Sequence, residues 1–186
     1  MAGQNRASSS FTIQESIQRK SLGIKCVFIS HQKGDRNIAK AVADYLLSAG
    51  IDVYFDEYDH DLRLARQNDN PKKVTESICK GIENSSHMLC IITANTANSK
   101  WVPFEVGYGY DKTALGILLG KDIPKDKIPE YVRAAPAIIP DIWDLNELIS
   151  LLVGKRKEDL ILEGRIKSYN NYNNPLSQYL AHAREI

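Results

Sequence analysis

The chain has 186 residues, 43% of them apolar and 25% charged, with a formal net charge of +1. That balance belongs to a folded globular domain, long enough to bury a core without disulfide staples. A charge so near neutral gives no global pull toward nucleic acid or a membrane surface, so neither is expected as a partner.

Residues 1–22 are polar and rich in Ser and Gln, and are expected as a flexible arm or a loosely docked helix. They contain no apolar h-region, and no apolar run elsewhere reaches membrane-spanning length, so a cytoplasmic protein is expected. A domain is expected over residues 23–154. Residues 25–30 (KCVFIS) are a short, nearly continuous apolar run, the signature of a parallel strand buried on both faces. Asp35 is placed to cap a helix in which Ile38, Ala39, Val42, Ala43, Leu46 and Leu47 recur at helical spacing, and Gly50 ends it. A second strand is expected over 51–55 (IDVYF), followed by a long polar loop, 56–70, closed by Pro71. Residues 72–84 form the next helix, with Val74, Ile78 and Ile82 on one face, and 87–93 (HMLCIIT) the third strand. Ser99 can cap a helix that runs through Trp101 and Glu105 to about Asp111. Strands at 114–120 and 137–139 and an amphipathic helix at 143–153 complete the domain, and 155–186 reads as a helical or irregular extension. Its Asn/Tyr-rich part either wraps the domain or meets a second copy. The three cysteines, Cys26, Cys79 and Cys90, fall in apolar stretches outside any CxxC pair and are expected as buried free thiols.

Strands alternating with helices argue for an α/β fold, an open parallel sheet with helices on both faces. A five-stranded sheet of this kind takes the flavodoxin-like order 2-1-3-4-5, and its ligands bind where the strand order reverses, past the carboxyl ends of strands one and three. Ser30, His31, Gln32 and Lys33 are delivered there from strand one, and Thr93, Ala94 and Asn95 from strand three. Trp101 and Glu105 are four residues apart on the next helix, about 40° around its axis, so both are expected to face that crevice. A carboxylate there can bind ribose hydroxyls and stabilise an oxocarbenium ion, while an indole can stack a ring. Asp56 and Glu57, at the end of strand two, are further candidates for a ribose contact. No GxGxxG or GxxxxGK[ST] loop is present, the first and third strands end without the acidic residues of a phosphoacceptor site, and no GxSxG elbow exists. The histidines His31, His60, His87 and His182 have no metal-ligand spacing.

These motifs resemble the TIR family. Phe28-Ile29-Ser30-His31 with Asp35 looks like the first-strand box, and Gly50-Ile51-Asp52-Val53-Tyr54-Phe55-Asp56 like the second. Ser85 with residues 87–93 resembles the box of helix B and strand three, and Ser99-Lys100-Trp101-Val102-Pro103-Phe104-Glu105 is similar to S-x-W-[VC]-x-x-E. The resemblance implies a flavodoxin-like sheet and an enzyme that cleaves the N-glycosidic bond of NAD. Glu105 would be catalytic, with Trp101, Asp56, Thr93, Asn95 and residues 30–33 around the substrate. NAD would be the substrate, with no further cofactor or metal. The TIR proteins of the bacterial Thoeris antiphage system look most alike. By that likeness the product is a cyclic ADP-ribose isomer that activates a separate effector, and self-association is expected. Two other readings stay open, a non-catalytic TIR adaptor and a nucleoside deoxyribosyltransferase-like enzyme. The chain departs from the family in its 56–71 loop, which lacks a Pro-Gly tip, and in Pro103, which suits a helix only in its first turn.

Overall fold

The computed structural model describes residues 2–8, 10–56 and 59–183; Glu57 lies outside them. Five strands, β1 (Cys26–Ser30), β2 (Asp52–Tyr54), β3 (His87–Ile92), β4 (Ala114–Leu119) and β5 (Ala137–Ile139), form one sheet in the order β2-β1-β3-β4-β5. All pairings are parallel, with Val27 opposite Val53, Ser30 opposite Cys90, and Cys90 opposite Ile117. The fold is therefore the flavodoxin-like α/β arrangement that the alternation of short apolar strands implies.

The two-residue period of a strand sorts the side chains into two layers. Val27, Ile29, Val53, Leu89 and Ile91 point to one face, where they pack against α2 (Arg36–Ala49) and α6 (Ile142–Val153). Cys26, Phe28, Met88, Cys90 and Ile92 point to the other, against α4 (Pro71–Glu83) and α5 (Val102–Gly109). Ser30, two residues past Phe28, falls on this second face, and that alternation brings it to α5. Gly81 of α4 marks how closely the helix rides on the sheet. A Cβ there would lie 2.5 Å from Tyr54 Cε1 and 3.0 Å from Phe28 Cε2. Those two rings are stacked at 5.8 Å, and the Tyr54 hydroxyl is held by Asp59 at 2.5 Å, so the added methyl meets a tethered ring. Gly81→Ala is therefore expected to destabilise by about 1–2 kcal/mol despite alanine's better helix propensity. The midpoint of urea unfolding measures this, and an unchanged or higher midpoint would refute it.

One segment differs from the sequence expectation, and the two ends of the chain each take one of the alternatives that the sequence leaves open. The 56–70 loop contains a helix, α3 (His60–Gln67). Asp59 caps it, accepting from the Leu62 N–H at 3.0 Å, and Leu62 and Ala65, three apart, bury against the second layer. The N-terminal segment is not a free arm. It carries α1 (Ile13–Ser21) behind a Thr12–Glu15 capping box, and Asn5 bridges to Val53 beyond the β2 edge. The Val53 N–H donates to Gln4 at 3.1 Å and the Arg6 N–H donates to Val53 at 2.8 Å, so the arm covers an otherwise open edge. Finally, the C-terminal extension wraps its own domain. After α7 (Lys157–Leu162), the side chains of Ile166, Leu176 and Leu180 sink into the first layer, and Ile142 N–H donates to Ala181 O at 2.9 Å.

Candidate active site

Two elements meet at Glu105. The helix α5 begins at Val102, with Pro103 in its first turn, where a missing N–H costs nothing. Ser99 Oγ accepts from the Val102 N–H at 3.1 Å, but the N-cap position is Trp101, which makes no side-chain cap bond, so the helix starts later than the expected Ser99 cap would place it. Trp101 stands just before the helix, and its carbonyl accepts from the Glu105 N–H at 2.9 Å. Glu105, one turn in, is 4% exposed and faces the carboxyl end of β1, where Ser30 Oγ donates to its Oε2 at 2.5 Å.

Burial removes water from the Glu105 carboxylate and pushes its pKa up to about 7; the Ser30 hydrogen bond opposes this. The nearby Asp56 carboxylate raises it further, and the Arg66 guanidinium lowers it. Those two groups pair with each other, Arg66 Nη2 in the last turn of α3 donating to Asp56 Oδ2 at 3.0 Å. Cys90, beside Ser30 on the neighbouring strand, is fully buried and its thiol is pushed up to about 12, chiefly by desolvation, which makes it inert as a nucleophile. Tyr131, in the 3-10 turn Glu130–Ala134 before β5, packs onto the same layer. It is close enough to Glu105 and Cys90 for negative charge on either to raise its pKa, although burial contributes most.

The other expected residues have other neighbours. Asp35, expected from the sequence as the cap of α2, stands at the N-cap position but its carboxylate makes no cap bond. Instead it accepts from Thr93 Oγ1 at 2.7 Å and from Asn95 Nδ2 at 2.8 Å. Thr93 and Asn95 thus tie the β3 loop to the β1 loop, with their polar groups turned to Asp35. Gln32 Oε1 accepts from the Gly34 N–H, and Lys33 is exposed in the same turn. The His31 ring lies 5.3 Å from that of Phe55. The Trp101 indole stands edge-on to Phe104 at 6.0 Å, packed against the second layer, while Glu105 turns inward to Ser30. Trp101 has helical dihedrals at the N-cap and is joined to Glu105 by the first turn, yet the two side chains meet different partners. The structure therefore groups Ser30, Asp56 and Glu105 and adds Arg66 and Tyr131. Arg66 had a readable signal, the Asp59 cap and the Leu62/Ala65 spacing; Tyr131 sits in an irregular turn with no periodicity.

Ser30 supplies the hydrogen bond that favours ionised Glu105. Ser30→Ala is expected to move the ionisation of Glu105 to higher pH and to cost about 1 kcal/mol of stability. Carboxyl titration by NMR with labelled glutamate checks the direction, and a downward move would show that the hydroxyl is not the stabilising group.

A groove of about 570 Å³ lies between the arm, α3 and α4, lined by Arg6, Phe11, Lys20, Tyr54, Asp59 and Lys80 among others; Glu105 does not line it. Among the described residues no cluster of His, Cys, Asp and Glu could hold a metal, and no helix is long and apolar enough to cross a membrane.

No curated protein matches the chain significantly. Among solved structures, a diflavin flavoprotein A3 from Nostoc sp. superposes with a TM-score of 0.36 at 12% identity, over 76% of this chain and 98% of that one. The TIR domain family model matches residues 27–138. That match spans β1 through most of β5, includes Ser30, Asp56, Tyr131 and Glu105, and covers more than half of the sequence, so the chain belongs to the TIR domain family.

Proposed function

We propose that this TIR domain cleaves the bond between nicotinamide and ribose in NAD, with Glu105 as the catalytic carboxylate. TIR domains include NAD-cleaving enzymes and modules that only assemble. The observation that carries the enzymatic reading is the Glu105 carboxyl itself, buried at the carboxyl end of β1, bonded to Ser30 and poised near neutral pH. A structural glutamate on a helix has no need of such a place.

In the proposed reaction the C1′–N bond breaks heterolytically. Its electron pair leaves with neutral nicotinamide, and positive charge develops on the ribosyl ring. The ionised Glu105 hydrogen-bonds the ribose hydroxyls and offsets that charge. Water then captures the cation to give ADP-ribose and a proton, or an atom of the same nucleotide captures it to give a cyclic isomer. We assign the cyclic product, an antiphage signalling role and a separate effector on the resemblance to Thoeris proteins. His31, Gln32 and Lys33 at the mouth of β1, with Thr93, Asn95 and Trp101 behind them, are proposed to bound the rest of the nucleotide. Self-association is proposed to complete the site.

One observation favours the adaptor reading: Glu105 is closed off, with the Asp56–Arg66 pair beside it. On the enzymatic reading these residues move apart to admit NAD. Nucleotides from cells expressing wild type or Glu105→Gln, challenged with phage, distinguish the two. Nicotinamide release and an ADP-ribose isomer in wild type alone support the enzyme. Identical NAD and product levels in both strains support the adaptor.

A further inference from the structure

Buried polar atoms without partners are rare because each forfeits its bonds to water, at about 1–3 kcal/mol. Among the described residues only three side-chain atoms are in this position, and two of them, Asp56 Oδ1 and Tyr131 Oη, belong to residues around Glu105. They come from separate elements, the end of β2 and the turn before β5. Asp56 itself is only 9% exposed, and its other oxygen is taken by Arg66. A carboxylate oxygen only accepts, whereas a phenol can donate. Both residues lie within electrostatic reach of Glu105, and the two atoms offer complementary hydrogen-bonding capacity that no group among the described residues uses.

We propose that Tyr131 is a substrate-contacting residue, its hydroxyl bonding the ribosyl unit held at Glu105, with Asp56 Oδ1 accepting from a hydroxyl of the same unit. A vicinal diol suits this pair, since each of its hydroxyls both donates and accepts. The phenol is fit for the donor role because burial, reinforced by nearby negative charge, pushes its pKa up to about 12 and keeps the proton on Oη. Its ring meanwhile packs against the apolar layer beneath the sheet, which fixes the hydroxyl's direction. The contact is specific to a polyhydroxylated substrate; an apolar ligand would leave both atoms as orphaned as they are now.

This inference rests on the NAD-cleaving reading, and the test separates the two. Tyr131→Phe keeps the ring and deletes only the hydroxyl. Three quantities are measured: the Tm, the kcat/KM for nicotinamide release from NAD, and the Kd for NAD in a Glu105→Gln background, where turnover does not interfere. The expected result is a Tm equal to or above wild type, a kcat/KM lower by about tenfold, and a Kd weaker by about five- to tenfold. Wild-type turnover with both constants within twofold of the parent proteins would overturn the Tyr131 assignment alone and leave the hydroxyl to a buried water. A lower Tm with both constants unchanged would mark the hydroxyl as structural and overturn it equally. If wild type releases no nicotinamide under phage challenge and Glu105→Gln does not bind NAD, the NAD reading falls and this assignment with it.

Discussion

Glu105→Gln is expected to reduce NAD cleavage by about 10²–10³-fold or more while raising the stability of the protein at alkaline pH. The amide is isosteric and still accepts the Ser30 hydroxyl, but carries no charge to set against the ribosyl cation. The stability change follows from linkage. In the folded protein the carboxyl holds its proton up to about 7, against an ordinary value of 4.5. Folding therefore favours the protonated form. Its contribution is fully present below about pH 4.5 and is lost as pH rises through about 7. The difference is on the order of 3 kcal/mol, with no screening discount because the group is buried. Glutamine is neutral throughout and avoids that loss. Wild type and variant should melt together near pH 4.5, and the variant several degrees higher at pH 8. Melting curves across this range test it. A variant less stable at every pH would mean that Glu105 is a packing residue and not a strained catalytic one.

The second large effect lies at the opposite end of the sheet edge. Asp52 is wholly buried and is reached by two arginines from the N-terminal arm, Arg6 Nε at 2.8 Å and Arg19 Nη2 at 2.5 Å. Both guanidinium side chains are themselves at most 7% exposed. Asp52→Ala removes the one carboxylate that both buried guanidiniums share, and breaking buried pairs of this kind costs about 3–5 kcal/mol. The Tm should fall on the order of 10 °C. Residues 2–22 should at the same time become sensitive to limited proteolysis, because the carboxylate is their main polar anchor. Replacing all three charges by apolar residues (Asp52→Leu with Arg6→Met and Arg19→Met) should recover much of the loss, as the cost comes from unpaired charge rather than lost shape. An Asp52→Ala protein that keeps its Tm and its protease resistance would show that the arm is held by apolar contacts instead.

Asp52 also shows where the sequence becomes opaque. The parallel sheet, its strand order and the two-faced core were legible because each rests on a local period. Val27 and Ile29 against Cys26 and Phe28, or Ile38, Val42 and Leu46 along α2, declare their faces without reference to distant residues. Ser30 and Glu105 were legible for a related reason: strand ends and first helical turns converge at a topological switch point. Nothing local marks Asp52 as a buried anchor, since its partners lie 46 and 33 residues away in a segment with the composition of a loose arm. The α3 helix was readable in principle from Asp59, Leu62 and Ala65, but its polar length disguised it. The redirection of Asp35 from a helix cap to Thr93 and Asn95, the turn of Trp101 toward Phe104, and the approach of Arg66 and Tyr131 to Glu105 were settled only by tertiary packing. A periodic pattern records which face a side chain leaves from. Which of several competing polar partners it meets depends on distances across the fold, and those exist only once the layers have closed.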